Sequence, residues 1–504
     1  MILTLPATAE LAPPNSVDVL HVVYQYTPEP LGGTEVYVQS LVHEASSLGL
    51  RCAIAAPGAR NEHYQVAGIR VYRVAANVTI NQVYGEENCA ATARWLEVLE
   101  LATPRILHIH ARTPMLNSVV LRHARRLGIK VVYTVHTPTA FCQRGTMLEF
   151  GIKPCDGLVT LARCTQCTLQ GLGVPKLATQ ILAHLPDTIL HTASKIVPKK
   201  IAFMLTFRAR IRRSQQEQSA FFDACDHIIA VCVWIEDALK INGVASTRLS
   251  LNRQGLRSDM QQTSLADQAT RQKSLADQAT RQKSLADQAT RQTSLADQAP
   301  PLKVFALGRC DPNKGFDILI MAIKRCKMPI ELDLSLGISN DQDRILAERF
   351  KQMAPGLGDS GALIRIHVNL SGAPLLNLFQ QSDVLAVPSI WMETGPLVVL
   401  EAFSQRLPVI GSRRGGIAEL VTHEKNGWLV PAGDVEAWAN ALDMIASDRG
   451  KLANACATIG AVRSMKEVAL EHWSLYEKVL VKDNFDPSQS LPTQSLPPSK
   501  SELK

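Results

Sequence analysis

From residue 17 onward, short runs of β-branched apolar residues alternate with longer stretches whose apolar positions recur every three to four residues. Residues 17–24 (VDVLHVVY) read as a buried strand, and 33–48 as a helix with Gly49 just past its end. Further strands are expected at 51–56, 69–74, 105–110 and 130–135, with helices at 90–101 and 116–127 between the later ones. One more strand–helix unit, 226–231 and 234–241, closes this half. A second alternating series runs through strands at 303–307, 330–336, 363–367, 383–387, 408–411 and 427–430. Alternation of this kind means parallel sheets with helices on both faces. The expected fold class is therefore α/β, with two doubly wound, Rossmann-like domains facing each other across a cleft. Ligands meet the carboxyl ends of the strands in such sheets.

The pattern divides the chain into a first domain over 17–256, a second over 301–465, and a helix over 466–483 expected to pack back on the first. Between the domains, residues 262–271, 272–281, 282–291 and 292–301 are near-copies of QKSLADQATR. A ten-residue step turns an ideal helix by about 1000°, so each Leu lands roughly 80° behind its predecessor. No continuous apolar stripe results, and 257–300 reads as a polar linker, a partner-binding array being the alternative. The Ser-, Pro- and Gln-rich tail 484–504 is expected to be disordered.

Composition narrows the classes. A chain of 504 residues is long for one core, and 46% hydrophobic with 20% charged residues excludes global disorder. The formal charge of +7 suits anionic small molecules or a membrane surface, and no signature of nucleic-acid binding accompanies it. The N-terminus shows no basic-then-apolar leader pattern, and no apolar run is long enough to span a bilayer. The expectation is a cytoplasmic protein, with peripheral attachment to the inner membrane face as an extension. Residues 188–216 contain no acidic side chain and interleave Lys195, Lys199, Lys200, Arg208, Arg210, Arg212 and Arg213 with an apolar run at 201–205. Such a segment either lies on anionic lipid or forms a solvated helix over the first domain.

The strongest chemical signal is the stretch Val387-Pro388-Ser389-Ile390-Trp391-Met392-Glu393-Thr394-Gly395-Pro396-Leu397, leading on to Glu401. Pro396 suits the first turn of a helix, which puts Glu393 in a loop and Glu401 on the helix. Each carboxylate is an acceptor able to bind hydroxyl groups. Upstream, Gly308-Arg309-Cys310-Asp311-Pro312-Asn313-Lys314-Gly315 follows a strand and offers two cations five residues apart, a bidentate donor and a point charge suited to a diphosphate. Gly32-Gly33-Thr34-Glu35 follows the first strand and opens a helix, where free N–H groups attract anions. His136 ends a strand; His108 and His110 share one strand face, as packing or as a metal pair.

These residues resemble the Glu-x7-Glu signature of the retaining GT-B glycosyltransferases of family 4 (glycosyl transferases group 1). The match continues through Leu407-Pro408-Val409-Ile410-Gly411-Ser412, Gly415-Gly416-Ile417-Ala418-Glu419-Leu420-Val421 and Asn426-Gly427-Trp428-Leu429-Val430. The resemblance implies that Glu393 contacts donor-sugar hydroxyls and Glu401 the nucleotide ribose, while Gly395, Pro396 and Leu397 add backbone contacts. It further implies that Arg309 and Lys314 bind the donor phosphates, that Gly32 and Gly33 approach phosphates and acceptor, and that His136 lies near the transferred sugar. Glu393, His136, Arg309 and Lys314 are then the catalytic candidates. The implied reaction moves a hexose-type sugar from a nucleotide-sugar donor to a glycan, lipid-linked or small-molecule acceptor. A same-fold epimerase or phosphorylase, or a silent scaffold, are the alternatives.

Three features depart from or add to the family pattern. Ser404-Gln405-Arg406 stands where a small Ala-Gly-type stretch is common, at a helix end that favours a left-handed cap. Asn252-Arg253-Gln254-Gly255-Leu256 replaces a common Asn-Gly-Val before the second half. Cys142, Cys155, Cys164 and Cys167 fall within 26 residues in an expected Gly- and Pro-containing loop, and the last pair has metal-knuckle spacing. Structural zinc, packed free thiols and disulfide or redox chemistry all stay open there. Asp341-Gln342-Asp343 reads as a helix start capped by Asn340 or Asp341, so no catalytic metal or cofactor is expected.

Overall fold

The computed structural model describes residues 16–29, 31–75, 89–113, 116–260, 277–280, 300–354 and 362–481. Most of the decapeptide repeats and the 484–504 tail lie outside the described residues.

The first half contributes β1 (Val19–Val22), β2 (Cys52–Gly58), β3 (Glu62–Val66), β4 (Ile69–Ala75), β5 (Ile106–Ile109), β6 (Lys130–Val135), β7 (Leu148–Glu149), β8 (Lys153–Pro154), β9 (His227–Ala230) and β10 (Leu249–Leu251). Eight of these form one sheet in the order β10-β9-β6-β5-β1-β2-β4-β3, parallel except for the β3–β4 pair. The second half contributes β11 (Leu302–Arg309), β12 (Ile330–Gly337), β13 (Leu363–Val368), β14 (Val384–Val387), β15 (Val409–Ser412) and β16 (Gly427–Val430), all parallel, in the order β13-β12-β11-β14-β15-β16. In each sheet the chain first winds one way from a central strand and then the other. The switch points therefore fall between β1 and β5 and between β11 and β14, the places where crevices open at strand carboxyl ends.

β1, β5, β14 and β15 are buried at every position, which matches strands covered on both faces. The Met465–Val481 helix returns to the first half. Its Val468 and Ala469 pack with Val38 and Leu41, and Trp473 and Tyr476 with Val19, Ile106 and Val132. This helix and the Gly33–Ser47 helix thus cover one face of the first sheet. The two chain crossings between halves run side by side: the Leu256 N–H donates to the Arg463 carbonyl at 2.7 Å, and the Met465 N–H to the Leu256 carbonyl at 3.0 Å. Gly255 permits this approach, because a Cβ there would lie 2.6 Å from the Ser464 carbonyl oxygen. Arg463 also donates to Asn252 Oδ1 at 2.8 Å, so the departing 252–256 segment is tied to the returning strand of chain.

Sequence patterning missed the edge strand β3, the β7–β8 hairpin and the run of helices between Leu161 and Asp223. The hairpin and edge strand are too short, at two and five residues, to show a period. Asn340 caps the Asp341–Met353 helix by accepting from the Asp343 N–H at 3.0 Å, and Asp343 accepts from Ser339.

Candidate functional site

Four loops rise from the strand ends on either side of the switch points: those after β1, β6, β11 and β14. They carry the Gly-Gly turn, His136, the Arg309–Lys314 segment and Glu393. At the centre is Glu393, 6% exposed. Its Oε1 accepts from Lys314 Nζ at 2.8 Å and from Ser389 Oγ at 2.7 Å, and the Lys314 ammonium stands 5.6 Å over the Trp391 ring. Burial pushes the Glu393 carboxyl up, but the charge and hydrogen bond of Lys314 and the Ser389 bond prevail and hold it below the usual range. Glu393 is therefore a fixed, ionised acceptor.

The main chain around Glu393 is pinned from both halves. Its carbonyl accepts from the Trp234 indole N–H at 2.8 Å and from the Gly416 N–H at 2.6 Å. Gly415 has φ +52, and a Cβ would sit 2.6 Å from the Glu393 carbonyl oxygen, so only glycine fits beneath this loop. Lys314 is positioned by Gly315 (φ +69), where a Cβ would fall 2.2 Å from the Pro388 carbonyl oxygen. Pro396 caps the Leu397–Ser404 helix from just outside, one position earlier than expected.

Glu401 lies on that helix, 7% exposed, with its carboxylate 3.5 Å from Arg257 Nε. Burial raises its pKa, Arg257 opposes the rise, and Asp259 adds to it. Glu401 is held by Arg257 near the inter-domain crossing, and Glu393 by Lys314. Arg309 is 63% exposed, with a loose contact to Asp311 at 3.9 Å. Its charge reaches Glu35 of the first half, whose carboxyl burial pushes up.

In the Gly-Gly turn, the Gly32 N–H already donates to Glu35 Oε2 at 3.1 Å. That donor is committed within the chain, whereas nothing lies within 4 Å of a Cβ built at Gly33. His136 is 5% exposed, and its carbonyl accepts from Thr394 Oγ1 at 2.8 Å, next to Glu393. Burial, with help from His472, lowers its pKa to about 3, so the ring is a neutral polar group at physiological pH and not a cationic acid.

The two halves touch through residues that sequence reasoning did not single out. Glu419 accepts from the main-chain N–H groups of Val233 and Trp234 at 2.9 and 3.2 Å, at the start of the Val233–Ile241 helix, and pairs with Arg253 at 2.8 Å. A carboxylate at a helix N-terminus is stabilised by the helix dipole and unpaired N–H groups. Trp234 and Glu419 gave no signal of this contact, because their partners lie 159 to 186 residues away, whereas Ser389 stands four residues from Glu393, inside the stretch that the sequence marks.

The cysteine cluster differs from the loop expected of it. Cys164 and Cys167 lie on the Leu161–Gly171 helix, one turn apart, and not in a knuckle turn. Cys167 Sγ accepts from the Phe150 N–H at 3.1 Å. Burial raises the Cys155 thiol, and raises Cys164 to about 11, with Cys142 close enough to contribute to both. All eleven cysteines are free thiols. Among the described residues, the set whose ligating atoms all lie within 4.8 Å of one another is His21, His108 and His110, not the four cysteines. The basic 188–216 segment spans the Asp187–Ser194 and Lys199–Asp223 helices.

Two lobes of this kind, with a polar cleft built on both switch points, define the GT-B class of architecture. The comparisons agree. The model of glycosyl transferases group 1 matches residues 287–462, and that of Glycosyltransferase Family 4 matches 31–182, one in each half. The chain belongs to this glycosyltransferase family. A D-inositol 3-phosphate glycosyltransferase of Saccharomonospora viridis is 32% identical over 149 residues, 28% of this chain and 33% of that one. An amylovoran biosynthesis glycosyltransferase of Erwinia amylovora is 30% identical over 160 residues, 28% of this chain and 34% of that one. The matched part spans about a third of the length of these curated relatives. Among solved structures, Anabaena HepE in complex with UDP and glucose has a TM-score of 0.54 at 15% identity, covering 92% of this chain and 100% of that one. The sucrose-phosphate synthase of Thermosynechococcus elongatus has 0.58 at 16%, covering 92% and 98%. These likenesses show the fold. Among the described residues no helix is long and apolar enough to cross a membrane.

Proposed function

We propose that this protein transfers a hexose-type sugar from a nucleotide-sugar donor to a glycan, lipid-linked or small-molecule acceptor, with retention of anomeric configuration. The observation that carries this reading is the buried, ionised Glu393 held at 2.8 Å by Lys314 at the carboxyl ends of the second sheet, with exposed Arg309 at the start of the loop that carries Lys314. In this reading Glu393 accepts from sugar hydroxyls, and Arg309 and Lys314 neutralise the diphosphate as charge grows on the leaving group. Glu401 accepts from the ribose, Gly395, Pro396 and Leu397 line the donor, and Gly33 leaves room for phosphate or acceptor. His136 contributes a neutral contact to the sugar. No catalytic metal enters this scheme.

Structural neighbours were crystallised with UDP and with UDP-glucose, which makes UDP-sugars the first probes. A calorimetric panel of UDP-, GDP- and ADP-sugars, followed by slow-hydrolysis assays, tests the reading. Binding of one class, with turnover lost in E393Q, supports it; a panel in which none binds overturns it.

The acceptor side has its own observation. Ile152, Leu177, Ile181, Ile189, Ile196 and Ile201 are exposed by 47–85%, and Lys195, Lys199 and Lys200 beside them are exposed. Exposed apolar side chains with flanking lysines suit the surface of an anionic membrane, on the cytoplasmic side where a lipid-linked acceptor would be met. Cosedimentation with phosphatidylglycerol vesicles at low salt supports this surface, and its absence overturns it. For Cys142, Cys155, Cys164 and Cys167 the reading is a structural Zn²⁺ site, favoured by the shared neighbourhood of three thiols and the N–H bond that Cys167 accepts. One equivalent of zinc after chelator-free purification supports it, and less than about a tenth overturns it.

A further inference from the structure

Beneath the cleft, on the sheet face covered by the Gly33–Ser47 and Met465–Val481 helices, the first half buries an unusual number of imidazoles. His21 and His108 are register partners on β1 and β5, and His110 follows two residues on. All three are at most 1% exposed. His21 Nδ1 lies 3.0 Å from His110 Nε2, and His110 Nδ1 lies 3.1 Å from His136 Nε2. His108 stands beside this chain but not in it: its Nδ1 lies 2.6 Å from the Tyr476 hydroxyl and its Nε2 2.8 Å from Thr134 Oγ1. Since both His108 nitrogens are engaged, the trio of His21, His108 and His110 does not offer three open ligand atoms to a metal. The distances describe a hydrogen-bonded row that ends at the cleft.

A neutral imidazole has one N–H and one bare nitrogen. Burial keeps these three rings neutral. In a row linked Nδ1 to Nε2 twice over, each shared contact needs one donor and one acceptor. All three rings must then carry the same tautomer, Nδ1–H throughout or Nε2–H throughout. The terminal atoms, His21 Nε2 and His136 Nδ1, are buried without a hydrogen-bond partner. With Nε2–H throughout, the unpaired donor is sealed in the core at His21. With Nδ1–H throughout, the core end holds only an unused lone pair. The unpaired donor then sits on His136 Nδ1, on the main-chain side of the ring, where Thr394 reaches the same residue from the Glu393 loop. A buried N–H without an acceptor is the costlier defect, and of the two ends it is His136, 5% exposed at the carboxyl end of its strand, and not His21, 0% exposed, that stands next to the Glu393 loop.

We propose that His110 and His21 are positioning residues which fix His136 as its Nδ1–H tautomer, so that it presents a hydrogen-bond donor to an oxygen of the sugar. The consequence for binding rests on the function proposed above; the tautomer itself does not. In the row, His21 donates to His110 and His110 to His136. A sugar oxygen completes the series, and a ligand presenting a donor at that point is disfavoured.

The test uses the full chain with ¹⁵N-labelled histidine and no ligand at pH 7, the His136 signals being assigned by their loss in H136Q. A protonated Nδ1 and bare Nε2 on His21, His110 and His136 is the expected result; Nε2–H on any of the three, or an averaged tautomer, overturns the proposal. In a second arm, H21L removes the donor to His110. It is expected to shift the His136 signals towards an averaged tautomer and to raise the KM for UDP-glucose hydrolysis about fivefold. H21N, whose amide N–H replaces Nδ1–H, is expected to restore both, and an unchanged His136 signal in H21L overturns the positioning role. If UDP-glucose neither binds nor turns over while the three rings show Nδ1–H, the donor reading fails and the tautomer assignment stands.

Discussion

Lowering the pH from 7.5 to 5.5 is a sharp perturbation of this fold, because the first half folds with five neutral histidines inside it. Burial lowers His21 and His136 to about 3, His472 to about 4, and His108 and His110 well below the ordinary value. In the unfolded chain each titrates near 6.5. Each therefore contributes stability that is fully present above about pH 6.5. It is lost as the pH falls towards the folded value, because the unfolded chain takes up protons that the native state refuses. At pH 5.5 the loss is about 1.4 kcal/mol per ring, or about 7 kcal/mol for all five. That rivals the entire stability of a typical domain, about 5–15 kcal/mol. Glu35 and Glu401, raised by burial, act with the opposite sign and favour the fold more as the pH falls, but they are two against five. Urea unfolding followed by tryptophan fluorescence at pH 7.5, 6.5 and 5.5 measures the effect, and calorimetry is expected to show the midpoint fall by roughly 15–25 °C. A change below about 2 kcal/mol across this interval would refute the claim that these rings stay neutral in the fold.

Other outcomes follow from the cleft. K314M strands the buried Glu393 carboxylate and is expected to cost about 3 kcal/mol at pH 7, the low end for a broken buried pair because Lys314 is one-fifth exposed. Without Lys314 the Glu393 pKa rises, so the deficit is expected to shrink by pH 5 and to be relieved by adding E393Q; urea titrations at both pH values check this. E393Q alone is expected to lower turnover of the productive nucleotide-sugar at least about a hundredfold with little change in melting temperature, measured by steady-state kinetics. The rate profile between pH 6 and 8 is expected to carry no limb from His136, and an inflection near 6.5 abolished by H136Q would count against its neutrality. R406G relieves a non-glycine residue at φ +55, worth about 1 kcal/mol, but removes the Arg406 hydrogen bond to the Ile459 carbonyl, of similar size. Its calorimetric midpoint is expected to move by no more than about 2 °C.

Much of this protein is local, and what is local was legible. Strand and helix periods, the Gly and Pro punctuation, and the Glu393 and Arg309–Lys314 segments lie in contiguous residues, so their order implied two doubly wound halves and a site at the strand ends. The left-handed position at Arg406 was legible for the same reason, since a helix end leaves its mark within a few residues. Tertiary structure alone decided which of these groups meet. Lys314 pairs with Glu393 across 79 residues, while Glu401, eight residues from Glu393, turns instead to Arg257. It also converted the Cys164–Cys167 knuckle spacing into one turn of helix and committed the Gly32 N–H to Glu35. The clearest case is the row His21–His110–His136: His136 read as a site candidate, His110 as strand packing or half of a metal pair, and His21 carried no signal. Only a parallel sheet in the order β6-β5-β1 sets them side by side on one face. Register between strands is fixed by packing over the whole core, and no window of sequence contains it.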